Sequence, residues 1–210
     1  MSISENIAAI RQQIALAAER SGRTAADITL VGASKMNDAA ACREAIAAGI
    51  DALGENRVQE MTQKLAEDAY AGAPLHFIGH LQRNKVKQVV GKAALIQSVG
   101  SVALLDEIEK TAEKLSLVQD ILLEVNIGGE EAKSGFAPEE LEAAARYAKT
   151  LSHVQVLGLM TIPPVENEPQ GNLPFFAKMK ALYVDINQNI YYNTCVHIRK
   201  CVHIRKGEQK

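Results

Sequence analysis

Lys35 closes the decapeptide TLVGASKMND (29–38), in which an apolar run stops at a serine and a lysine. Lysine is almost never fully buried without a partner. At a strand end its amine is therefore either solvated, the commoner role, or held in a pocket for chemistry. Desolvation or neighbouring cations lower a lysine pKa from about 10.4 and make the amine nucleophilic, able to condense with an aldehyde. GENRVQE (54–60) puts Asn56 after a very short apolar stretch. Its amide can present a donor and an acceptor to a site, or simply cap a helix that starts near Val58.

Two further strings carry candidate side chains. In HFIGHLQRNK (76–85), His80 follows an apolar stretch and stands beside Gln82 and Asn84, while His76 lies at the opposite end of that stretch. Arg83, Lys85 and Lys87 add positive charge that more often marks a solvated face. LMTIPP (159–164) offers Met160, which can pack against a planar ring or equally well fill a core. EVNIGGEEAKSGF (124–136) is a polar loop in which Gly128 and Gly129 let backbone amides approach an anion, with an ordinary loop as the simpler alternative.

The elements that must position these residues alternate along the chain. Strand candidates fall at 28–33, 52–54, 75–78, 94–98, 121–126 and 154–162. Helix candidates lie between them: 39–48 stopping at Gly49, 82–90 stopping at Gly91, and 139–150 entered at Pro138. Strands apolar on both faces, alternating with helices, imply a parallel α/β sheet. The polar residues gather just after the strands, and no GxGxxG turn follows the first strand. Both features favour a TIM-type (β/α)8 barrel, whose sites form at the strand C-termini, over a doubly wound sheet. Such a barrel typically takes about 250 residues. The fold expected is therefore a barrel lacking its last two strand–helix units.

Composition excludes several classes of partner. A net charge of −2 gives no reason to expect nucleic acid or an anionic membrane, and 4% aromatics without Trp provide no base-stacking platform. No apolar run approaches the roughly 18 residues of a membrane span. The first 23 residues read as an amphipathic helix, with Ile7, Ile10, Ile14 and Ala17 at helical spacing, rather than as a signal peptide. Three cysteines, an odd count, suit a reducing compartment, and a cytoplasmic location is expected.

The end of the chain differs in character. CVHIRK occurs twice in tandem (195–206), and over 188–210 five basic residues, Arg199, Lys200, Arg205, Lys206 and Lys210, stand against one Glu, Glu208. Cys195, His197, Cys201 and His203 are residue types that zinc accepts, but their spacing matches no usual finger. A doubled hexapeptide creates the set automatically, so no metal is expected.

Taken together, SK, GEN-VQE, HFIGHLQ-NK, EVNIG with KSGF, and GLMTI resemble, in this order, the pyridoxal phosphate homeostasis proteins. That is the YggS/PROSC family, related to the N-terminal barrel of alanine racemases. The likeness runs from about residue 7 to residue 187. It implies pyridoxal 5′-phosphate (PLP) held as a Schiff base on Lys35, with Asn56, His80 and Met160 around the cofactor and no catalytic residue. It further implies a non-catalytic role in vitamin B6 homeostasis, with PLP-dependent apoenzymes as recipients, while the strand edges that an open barrel would expose lead to the expectation of a monomeric or weakly self-associating state. A racemase-like enzyme is the alternative, and a structural remnant without ligand the second.

The chain departs from that pattern in two places. Asn37 stands where the family often has a second lysine. The C-terminal segments that hold the cofactor phosphate have no counterpart after residue 187. The expected organisation is a cofactor-binding domain over 1–187 and an atypical basic tail over 188–210, with weakened cofactor retention.

Overall fold

The structure, a computed structural model, describes residues 2–130, 133–165, 170–191 and 200–204. Two compact units make up the described chain. The first runs to Ile78 and includes 200–204; the second begins at Gly79.

In the first unit, α1 (Ile3–Arg20) opens on a capping box in which Ser2 and Glu5 satisfy each other's backbone amides. Its apolar stripe, Ile7 and Ile14, packs on Leu30 of β1 (Ile28–Ala33). Asp38 caps α2 (Ala39–Ala47) by accepting from the Ala41 amide at 2.8 Å. Next come β2 (Ala52–Glu55), α3 (Val58–Ala66) and β3 (Leu75–Phe77). β1 pairs with β2 and β2 with β3, both in parallel. Every residue of β2 and β3 is buried, Glu55 and His76 included.

Among the described residues there is one strand beyond the six expected. β7 (Lys200–Ile204), inside the segment read as an atypical tail, pairs in parallel with β1 from Ile28↔Lys200 to Gly32↔Ile204. β-branched Val202 and Ile204 suit a strand, and the free side of β1 supplies a ladder. Cys195 and His197 lie outside the described residues.

In the second unit, β4 (Leu95–Val99), α4 (Val102–Lys114), β5 (Gln119–Glu124), α5 (Leu141–Lys149), β6 (Val154–Met160) and α6 (Leu173–Asn189) follow one another. β4 pairs with β5 and β5 with β6, again in parallel. α4 buries Leu105, Ile108 and Ala112, and α5 buries Leu141, Ala144 and Ala148, covering the apolar strands. The helix expected over 82–90 is instead a 3₁₀ segment, Arg83–Gln88. Three β-branched valines, Val86, Val89 and Val90, are buried in and after this short stretch, and it closes through i→i+3 bonds such as Val89 N–H to Val86 O at 2.9 Å.

Candidate functional site

Each expected site residue stands at or just beyond the C-terminal end of a parallel strand. Lys35 and Asn56 follow β1 and β2 in the first unit; His80 follows β3 and Met160 ends β6 in the second. Parallel α/β sheets place their ligands at these ends.

Lys35 is exposed, and its amine makes no hydrogen bond or ion pair among the described residues. The backbone that carries it is held on both sides. Ser34 N–H donates to Gly54 O at 2.9 Å, and Met36 N–H donates to Glu60 Oε2 at 3.0 Å. Met36 itself adopts φ +61°, a left-handed conformation that costs a non-glycine residue about 1–2 kcal/mol. The turn is thus strained and over-determined, a combination that concentrates at functional sites.

Beneath this turn lies a charged cluster that sequence reading missed. Glu55 is fully buried, and its Oε1 accepts from Lys64 Nζ at 2.6 Å and from Ser34 Oγ at 2.6 Å. Lys64, also buried, donates to the Ser34 carbonyl at 2.7 Å, so β2 and α3 together grip the residue before Lys35. Tyr70 OH donates to the same carboxylate at 3.3 Å; burial, and then the Glu55 charge, push the Tyr70 hydroxyl far above its ordinary range. Burial likewise pushes the neighbouring Cys42 thiol up.

Asn56 does not cap the following helix. Arg57 occupies the cap position of α3 and no side chain closes it. The Asn56 Oδ1 is buried without a hydrogen-bond partner. An orphaned acceptor of this kind costs about 1–3 kcal/mol unless something occupies it, and it fits a ligand group with a donor.

In the second unit His80 is exposed and lines a cavity of about 360 Å³ whose floor includes Ser98 and Glu124. Glu124 is another residue the sequence did not single out. Burial pushes its carboxyl above the usual range, opposed in part by the His80 charge and a hydrogen bond from Ser134. Met160 is 6% exposed and packs with Leu95 and Leu122, the core arrangement weighed above. His76 lies inside β3 and is buried. Asn126 organises the GG loop, donating from Nδ2 to Glu130 O at 2.8 Å. Of the four Cys and His of the tail, Cys201 and His203 fall on β7, where only the backbone is described.

Comparison with known proteins follows the same lines. The family model for the alanine racemase N-terminal domain matches residues 6–204, past residue 187 and into β7. The pyridoxal phosphate homeostasis protein of Aquifex aeolicus is 41% identical over 196 residues, spanning 93% of this chain and 85% of that protein. Two solved structures of PipY from Synechococcus elongatus PCC7942 superpose over 95% of this chain and 87% of that one. The form without PLP gives a TM-score of 0.82 at 30% identity. The form with PLP bound gives 0.79 at 29% identity.

Proposed function

The chain belongs to the pyridoxal phosphate homeostasis family, within the alanine racemase N-terminal domain group, and on that premise we propose that it binds PLP through Lys35 and serves PLP balance without turning a substrate over. One observation carries the reading: a primary amine without a partner among the described residues, on a turn pinned from β2 and α3 and one strand away from the orphaned Asn56 Oδ1. PLP, when bound, supplies an aldehyde that an amine can hold covalently. The chain supplies the rest. Glu55, Lys64 and Glu60 hold the turn, Lys35 offers the amine, and Asn56 accepts a hydrogen bond. His80 and Met160 complete the proposed lining, and no residue is assigned a catalytic role.

The proposal extends to the whole chain. Its fold is the alanine racemase barrel without the last two strand–helix units, residues 1–187 forming the cofactor domain and 188–210 a tail that adds β7. The tail has no counterpart of the family's phosphate-holding segments, where each charge-assisted hydrogen bond contributes about 1.5–3 kcal/mol. Retention of PLP is accordingly weaker than in members that have them. PLP-dependent apoenzymes in the cytoplasm are the proposed recipients.

The test is titration of PLP into the purified protein, followed by borohydride reduction and peptide mass mapping. The expected result is a new visible absorbance, label on Lys35, and loss of both in Lys35→Ala. An unchanged spectrum in Lys35→Ala, or label confined to another lysine, would overturn it. Interconversion of D- and L-alanine above background would replace carrier with enzyme.

A further inference from the structure

The cavity in the second unit is lined by a buried carboxyl, Glu124, and an exposed guanidinium, Arg83, which form no ion pair with each other. Glu124, 7% exposed, lines it from the end of β5, and its Oε2 is buried without a hydrogen-bond partner. That oxygen lies beside Gly100, where an added Cβ would come within 3.4 Å of it. Arg83 is exposed on the same lining and makes no ion pair among the described residues. Ser98, buried and hydrogen-bonded to Gly79 O, contributes to the lining, and Ser134 hydrogen-bonds the Glu124 carboxyl. The start of α4, a thirteen-residue helix capped by Ser101, borders the space and adds the positive end of its dipole.

An unpartnered buried carboxylate oxygen requires a donor, preferably a cationic one. A metal ion is the poorer candidate, because among the described residues no three Cys, His, Asp or Glu side chains stand together. An organic ammonium needs only one carboxylate, and the guanidinium with the α4 N-terminus matches an anionic group on the same small molecule. At about 360 Å³ the space lies within the range of small-ligand pockets.

We propose that this cavity is a binding site for a free α-amino acid, its ammonium on Glu124 and its carboxylate toward Arg83. The ion pair at Glu124 offsets the cost of burying that carboxylate. The cavity includes His80, one of the residues proposed for the cofactor. The inference deepens the cofactor reading in that respect, but the site itself is built without Lys35.

The test is calorimetric titration, without PLP, of L-alanine, ethylamine and propionate into the wild type, Glu124→Gln and Arg83→Ala. L-Alanine is expected to bind the wild type saturably, and Glu124→Gln to weaken alanine and ethylamine alike by about tenfold or more. Arg83→Ala, at an exposed position, is expected to weaken alanine and leave ethylamine unchanged. The proposal is overturned by absence of saturable alanine binding, or by a folded Glu124→Gln that binds alanine as the wild type does. It is also overturned if Arg83→Ala weakens alanine and ethylamine equally. Because PLP is absent, failure of Lys35 labelling leaves this result standing, and the reverse holds as well.

Discussion

At Glu124 a single carboxyl makes stability depend on pH with a defined sign. Burial raises its pKa above the usual 4.5, and His80 and Ser134 compensate only in part. The folded chain therefore holds this proton more tightly than the unfolded chain, so the folded state loses stability as pH rises. The contribution is complete below pH 4.5 and is lost as pH climbs through the folded pKa. Glu124→Gln cannot ionise. Urea midpoints of the two proteins should diverge with rising pH, the wild type falling relative to the variant, whereas parallel curves from acid to neutral pH would show that the carboxyl is not desolvated. Sequence alone marked Lys35, Asn56 and His80 because each sits in a distinctive string after a strand. It passed over Glu124, which reads as an ordinary polar strand end; that its carboxyl lies buried beside Gly100, on another strand's end, is a tertiary fact.

At the level of elements, the Glu55–Lys64 pair ties β2 to α3 and both to the end of β1. Removing one member of a buried ion pair leaves the other charge uncompensated, at about 3–5 kcal/mol. Lys64→Met should lower the unfolding free energy by that amount in urea titrations. The double variant Glu55→Gln/Lys64→Met should recover part of the loss, because no lone charge remains. A surface-like loss below about 1 kcal/mol in the single variant would contradict the buried pair. The strand and helix spans themselves were legible: β1 falls on residues 28–33 as read, and α3 starts at Val58. Lys64 was not, because a lysine late in an amphipathic helix looks solvated until the strand beneath it is known. The 3₁₀ segment was not legible because Val86, Val89 and Val90, at i, i+3 and i+4, have the spacing of an α-helical face.

For the molecule as a whole, the pairing of β7 with β1 decides whether that side of β1 is exposed. An unpaired strand edge is a template for association with another chain. Val202 stands opposite Leu30 in the ladder. Proline at that position cannot donate to the ladder, so Val202→Pro should detach β7 and raise the mass measured by light scattering relative to the parent protein. An unchanged mass would show that the strand does not protect the edge. The sequence exposed the CVHIRK repeat and its β-branched content, but gave no means of choosing its partner, because β1 lies at the other end of the chain. The same limit applied to the strand count.

Lys64 and Lys35 bring two amines to one short turn on very different terms. Lys64 is buried and donates to Glu55 and the Ser34 carbonyl, which keeps its nitrogen out of reach of an electrophile. The nitrogen one residue beyond Ser34 is unmasked. Selectivity between the two nucleophiles is thus set by which nitrogen is occupied, before the shape of any incoming reagent matters.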